Sequence, residues 1–284
     1  RTGVWHTIMG RSLMHTDEVT LAEVFSKGGY RTGCFGKWHL GDNYPLRPQD
    51  QGFHEVLVHG GGGVGQTPDF FGNDYFDDTY WHNGQVAKAK GYCTDVFFDA
   101  ALKFIADTAH PTNGKRQPFF CYIPTNAAHG PFLVADKYKQ PYLDAGVPAR
   151  RAAFYGMITN IDENVARLRK QLAASGLADN TLLIFTTDNG TAGGMTARLD
   201  GVRVRGGKDK FTDAGAHAPF IVNCPGLVPA GKTVDDLVDF TDMLPTFAEL
   251  GGAVLPRGVK LDGFSIAEII LGRKHDGPKR QWVL

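Results

Sequence analysis

Apolar positions along this chain fall into two rhythms, a helical spacing of three and four and short continuous runs, and the two alternate from one end to the other. Residues 17–28 read as a helix, with Thr16 or Asp17 as its cap, Val19, Leu21, Val24 and Phe25 on its apolar side, and Gly28-Gly29 as its stop. A short strand is expected over residues 30–36. Residues 94–107 carry Val96, Phe97, Ala100, Ala101, Phe104 and Ile105 near helical period, then lead through a polar loop to the apolar run Phe119-Phe120-Cys121-Tyr122-Ile123, a buried strand. The longest helix is expected over residues 148–175. There Phe154, Ile158, Ile161, Val165, Leu168 and Leu172 alternate spacings of four and three and draw one apolar stripe, which Gly176 ends. Residues 182–185 and 219–223 read as two further strands, and residues 237–250 as a helix carrying Pro245. Continuous apolar strands separated by helices predict an α/β fold, a mainly parallel sheet sandwiched by helices.

Composition narrows the class. The 284 residues, 42% hydrophobic and 21% charged, suit a globular chain with a substantial core. Lys+Arg and Asp+Glu balance at 30 each, so no bulk charge calls for nucleic acid or an anionic membrane, although a neutral total still permits a local cationic pocket. No apolar run approaches the roughly 18 residues of a membrane span, and the start at Arg1 shows neither an initiator methionine nor a signal peptide. Cys34, Cys93, Cys121 and Cys224 lie far apart, which disfavours a zinc knuckle and reads as buried free thiols.

The architecture says where to look for chemistry. In open α/β sheets ligands bind beyond the carboxyl ends of the strands. After the strand ending at Gly36 come Lys37 and His39, two residues apart and on one side if the chain stays extended. After the strand ending at Ile123 comes Pro124-Thr125-Asn126-Ala127-Ala128-His129-Gly130-Pro131, which presents His129. After residues 182–187 comes Asp188-Asn189-Gly190, two oxygen-bearing side chains before a residue that turns freely. Taken singly, these are an ordinary turn, a loop histidine and a solvated charge. Their convergence on one edge changes that. Asp and Asn oxygens suit Ca²⁺ or Mg²⁺, while Lys and His around such an ion suit an anionic tetrahedral ester. A further cation, Lys208, follows in Arg205-Gly206-Gly207-Lys208. The run Gly60-Gly61-Gly62-Gly63-Val64-Gly65 satisfies G-x-G-x-x-G, but Gln66-Thr67-Pro68-Asp69 opens no helix, so a dinucleotide site is not expected.

Gly29-Tyr30-Arg31-Thr32-Gly33-Cys34-Phe35-Gly36-Lys37-Trp38-His39-Leu40-Gly41 resembles the second signature of the sulfatase family, the arylsulfatase-like branch of the alkaline phosphatase superfamily. His129, Asp188-Asn189-Gly190, Arg205-Gly206-Gly207-Lys208, Asp239-Phe240-Thr241-Asp242-Met243-Leu244-Pro245-Thr246 and Leu261-Asp262-Gly263-Phe264-Ser265 follow in family order. The resemblance implies that Asp188 and Asn189 ligate a Ca²⁺-like ion, with Mg²⁺ as the alternative. It implies that Lys37 and Lys208 hold the sulfate oxygens, that His39 steadies the nucleophile and that His129 protonates the leaving oxygen. A sulfated small molecule or carbohydrate is then the substrate, and the periplasm, the extracellular space or a lysosome is the implied location.

The same resemblance implies features the 284 residues lack. The family's nucleophile is a formylglycine made from Cys or Ser in a C/S-x-P-S-R type motif by a formylglycine-generating or sulfatase-maturating enzyme, and no such motif occurs. The expectation is therefore a partial sulfatase catalytic domain over residues 1–284, truncated at both ends, with the formylglycine upstream of residue 1 and weak metal binding through two ligands alone. Arg1-Thr2-Gly3-Val4-Trp5 resembles the stretch that shortly follows the activation motif, and His217 stands where the family usually carries arginine. The alternatives are a phosphomonoesterase or phosphonate hydrolase of the same superfamily, and a sulfatase-like binding protein without turnover. Phe70, Phe71, Tyr75, Phe76, Tyr80 and Trp81, in residues 59–82, are candidates for a pocket lining sugar or aryl groups, or for core.

Overall fold

The computed structural model describes residues 2–4, 6, 12–111, 114, 116–274, 277–278 and 280–283; Arg1 and Trp5 of the first five residues, and Leu284 at the end, lie outside them. The chain divides into two compact units, Arg1–Gln171 with Gly251–Val259, and Leu172–Leu250 with Lys260–Leu284.

The first unit is an α/β layer structure. Strands β1 (Arg31–Gly36), β2 (Glu55–Val58), β3 (Thr79–His82), β4 (Gln85–Lys88) and β5 (Phe119–Tyr122) form one sheet in the order β4-β3-β2-β1-β5. Its centre is parallel, since β1 pairs with both β2 and β5 in that sense, and β3 and β4 add an antiparallel edge. Helices α1 (Leu21–Lys27), α2 (Cys93–Ala109), α3 (Asp136–Asp144) and α4 (Ala149–Ala174) complete it, the last running on to the boundary with the second unit. Alternation along β1 divides the core. Phe35 meets Phe104 of α2 at 5.5 Å, and Tyr80 meets Phe97 of α2 at 5.0 Å, on one face. Cys34 clusters with Ala22 of α1, Phe53, Val56 and Val58 on the other, with Trp38 and Phe120 packed against them.

Several boundaries differ from the sequence reading. The first helix starts at Leu21, capped by Thr20 and not by Thr16 or Asp17: Thr20 Oγ1 accepts from Glu23 N at 3.1 Å while Glu23 Oε2 accepts from Thr20 N at 2.9 Å. This reciprocal pair satisfies two N-terminal donors that the earlier start would have left open. The stripe on α4 is kept at Phe154, Leu168 and Leu172, all buried, and shifts between them. Ile158 is 44% exposed, and the buried line runs through Met157, Asn160, Asn164 and Leu168. Two asparagines sit there because Asp95 of α2 accepts from both Nδ2 groups at 2.7 Å. The β3–β4 hairpin turns at Asn83-Gly84, with φ of 49° and 81°, the pair of left-handed residues that a two-residue turn demands. All four cysteines are free thiols; Cys34, Cys93 and Cys224 are buried, as expected, and Cys121 is half-buried.

The second unit holds strands β6 (Leu183–Thr186), β7 (Thr196–Leu199), β8 (Val202–Arg205) and β9 (Phe220–Asn223), and helices α5 (Asp213–Ala216), α6 (Met243–Leu250) and α7 (Ala267–Ile270). β6 pairs with β9 and β7 with β8, both antiparallel. The helix expected over residues 237–250 begins only at Met243, after a tight turn at Phe240–Asp242 capped by Asp239. Pro245 therefore falls in the first turn, where its missing N–H costs nothing. The buried Asp242 accepts from Phe264 N at 3.1 Å and from the Arg280 guanidinium, tying the end of the chain to α6.

Candidate functional site

Parallel strands β2, β1 and β5 end on the same side of the sheet, so the residues that follow them gather at one edge. Lys37 follows β1 directly, and its N–H donates to the Pro124 carbonyl beyond β5 at 2.6 Å. Such close approach of the two strand ends requires glycine at position 36: φ is +134°, and a Cβ would lie 2.9 Å from the Pro124 carbonyl carbon and closer still to its oxygen. Trp38 anchors the segment through its indole N–H on the Leu46 carbonyl, at 2.8 Å, and its ring edge on Phe53. His39 then takes a left-handed φ of 57°. Its imidazole lies against Gly62, where a Cβ would stand 2.5 Å from Nε2 and 2.9 Å from Nδ1.

The glycine run at 60–65 is thus a cover on His39, and it forms turns, not the start of a helix. Asp69 accepts from Gly60 N at 2.9 Å and from Gly65 N at 2.8 Å, and Asp42 accepts from Gly61 N at 3.0 Å. Asn126, in the loop after β5, accepts from Val64 N at 3.1 Å. Three residues further on, His129 Nδ1 lies 2.7 Å from the Gly130 carbonyl; a carbonyl only accepts, so Nδ1 carries the proton and Nε2 is the atom that exchanges one. Tyr75 donates its hydroxyl to the His129 carbonyl at 3.2 Å.

In the second unit, Asp188 and Asn189 follow β6, and Thr187 Oγ1 donates to the Asn189 carbonyl at 3.0 Å. Gly190 N donates to Gly215 O at 2.8 Å, and Lys208 N donates to Thr191 O at 3.0 Å, so the Asp-Asn turn and the Lys208 loop are held side by side. Asp188 and Asn189 are hard oxygen donors and fit a Ca²⁺-like ion by type. Among the described residues no group of three or more His, Cys, Asp or Glu could hold a metal, so these two do not complete the roughly six to eight oxygens such an ion takes. His217 is exposed, with Nδ1 3.2 Å from Asp213 Oδ1. Lys37, His39 and His129 belong to the first unit, and Asp188, Asn189 and Lys208 to the second.

The candidate aromatic lining divides. Tyr75 and Tyr80 are core, at 1% and 0% exposure, whereas Phe71 is fully exposed and Phe70 stacks obliquely, at 4.9 Å, on the partly exposed Trp81. Sequence reasoning passed over His59. It follows β2 directly, on the same edge as Lys37, and the rule used for the other strand ends would have found it. Its ring is 1% exposed, and burial first, then the nearby Lys37 charge, hold its protonation below the usual range against the opposing pull of the Gly60 carbonyl, Asp69 and Asp42. A histidine whose folded pKa is depressed contributes stability above its unfolded value of about 6.5 that is lost as pH falls below it. The thermal midpoint of the whole protein is accordingly expected to fall between about pH 7 and about pH 5, with a shallower slope in His59→Gln. Equal slopes would show that His59 is not buried neutral.

A family model described as Sulfatase matches residues 1–253. The uncharacterized sulfatase YdeN of Escherichia coli (strain K12) is 28% identical over 304 residues, covering 100% of this chain and 52% of that protein. Arylsulfatase A of Homo sapiens is 29% identical over 288 residues, covering 90% of this chain and 52% of that protein. The chain spans about half the length of the curated relatives it matches. Among solved structures, Ps i-CgsB in complex with k-i-k-neocarrahexaose matches with a TM-score of 0.77 and 25% identity, over 95% of this chain and 61% of that one. The phosphonate monoester hydrolase of Agrobacterium radiobacter shares the fold, with a TM-score of 0.62 and 20% identity over 94% of this chain and 64% of that one.

Proposed function

This chain belongs to the sulfatase family, and from that premise we propose that the whole protein hydrolyses a sulfate ester, with Lys37, His39, His129 and Lys208 acting on the ester and Asp188 and Asn189 contributing to a metal site. The observation that carries the reading is the placement of Lys37, His39 and His129 beyond the carboxyl ends of adjacent parallel strands β1 and β5. Lys37 and Lys208 neutralise sulfate oxygens whose negative charge grows as the S–O bond breaks. His39, pressed on Gly62, has its ring fixed to steady the nucleophile. His129 gives a proton from Nε2 to the departing oxygen. A hard cation held by Asp188, Asn189 and further oxygens, Ca²⁺ in preference to Mg²⁺, would supply charge neutralisation at the nucleophile and ester. The nucleophile itself is proposed to be a formylglycine outside residues 1–284, installed by a maturating enzyme.

A sulfated carbohydrate is the substrate class we favour. Phe70 and Trp81 offer ring faces suited to a sugar, and the related Ps i-CgsB is described with k-i-k-neocarrahexaose. No helix among the described residues is long and apolar enough to cross a membrane; by family resemblance we place the protein in the periplasm, outside the cell or in a lysosome. The test is to assay the whole, matured protein on matched aryl sulfate, aryl phosphate and phosphonate esters. Sulfate turnover is expected to dominate. Preferred phosphate or phosphonate turnover would assign the protein to the rival hydrolases, and binding without turnover of any ester would make it a binding protein.

A further inference from the structure

None of the steps above uses His59, the residue at which β2 runs out. Its Nδ1 lies 2.9 Å from the Gly60 carbonyl oxygen, which only accepts, so the neutral ring carries its proton on Nδ1 and a lone pair on Nε2. Nε2 is buried and has no hydrogen-bond partner among the described residues. A native chain seldom leaves such an acceptor open unless a donor reaches it in the working protein. Lys37 stands beside it. The register pairs Gly36 with Val58, and His59 N donates to Gly36 O at 3.3 Å, so the ladder carries Lys37 and His59 next to each other past the ends of β1 and β2. Burial and the Lys37 charge both keep the imidazole neutral, the only form in which Nε2 accepts.

We propose that His59 is a positioning residue for Lys37, accepting one ammonium N–H at Nε2 and holding that charge at the end of β1. An ammonium has three N–H donors, so two remain for other acceptors, the sulfate oxygens among them. The catalytic consequence rests on the sulfatase reading; the contact itself does not.

Two measurements on the whole protein test it. In the first, His59→Leu, which removes the acceptor, is expected to lower kcat/KM on an aryl sulfate by about 10- to 100-fold, chiefly in kcat. His59→Gln, which restores an acceptor oxygen, should recover most of that loss. In a Lys37→Met background, His59→Leu should then cost less than about twofold more. A merely structural histidine would give the same loss in both backgrounds, which would overturn the proposal, as would a His59→Leu enzyme within about twofold of the parent. In the second, long-range proton–nitrogen spectra of protein labelled with ¹⁵N-histidine, assigned with His59→Gln, should show His59 protonated at Nδ1 with its Nε2 resonance moving in Lys37→Met. An unmoved Nε2 resonance, or a proton on Nε2, would also overturn it. If the parent hydrolyses no sulfate ester, the sulfatase reading falls while the spectra still decide the contact.

Discussion

Replacing Lys37 or Lys208 by alanine in the whole protein is expected to lower kcat/KM on an aryl sulfate by about 10²-fold or more, equivalent to about 2.7 kcal/mol of transition-state stabilisation. Each lysine is proposed to meet oxygens whose charge increases during S–O cleavage, so the loss should fall on kcat more than on KM. His129→Ala is expected to behave differently. A phenolate leaves well without a proton and a sugar alkoxide does not, so this variant should slow a sugar sulfate far more than a nitrophenyl sulfate. Paired assays on the two leaving groups check it. Equal slowing of both would remove His129 from the role of acid, and lysine variants within a few-fold of the parent would make those charges structural.

Gly36→Ala should produce the largest loss of stability among single-methyl changes at the site edge. Its backbone is at φ +134°, and the added carbon would press into the Pro124 carbonyl, to which Lys37 N is bonded. Left-handed strain costs about 1–3 kcal/mol and forced displacement of packed backbone about as much again, so unfolding free energy should drop by about 3 kcal/mol or more. Gly29 provides the control: its φ is +83°, but an added Cβ has nothing within 4 Å. Gly29→Ala should therefore show the conformational cost alone, about 1 kcal/mol. Denaturant unfolding of both variants decides the matter, and equal losses would mean that the strand ends yield to the methyl group.

What the sequence revealed depended on how strongly burial imprinted a period. α2, α4, β1 and β5 lie within one or two residues of their expected spans because the helices carry an apolar period and the two strands are short, mostly apolar runs bounded by polar or turn residues. α3 was missed: Pro141 lies within it and Tyr138 is its buried residue, so it has almost no apolar stripe. The β3–β4 hairpin was also missed, since β4 is largely exposed, although Asn83-Gly84 is a hairpin turn signal. On α4 the period was right, and Phe154, Leu168 and Leu172 are buried as the stripe requires, but between them Asn160 and Asn164 join the buried line because Asp95, a partner 65 and 69 residues away in sequence, holds them. Lys37, His39 and His129 were legible as residues after strands. His59 was hidden by the glycines behind it, which drew attention to the G-x-G-x-x-G match and away from the residue that follows the strand.

The tethering of that glycine run also bears on how the edge recognises charge. A glycine-rich loop binds phosphate when its successive N–H groups point outward together and present a positive concavity. Here the N–H groups of Gly60, Gly61, Val64 and Gly65 terminate on Asp69, Asp42 and Asn126, two of which are carboxylates. These four dipoles are therefore directed onto acceptors within the protein, so the loop does not present an unbroken row of N–H donors to an anion. In the proposed reading anion recognition therefore falls to discrete side-chain charges, each removable one at a time, and an ester carrying one negative charge would match such a site better than a polyphosphate that depends on a continuous backbone cradle.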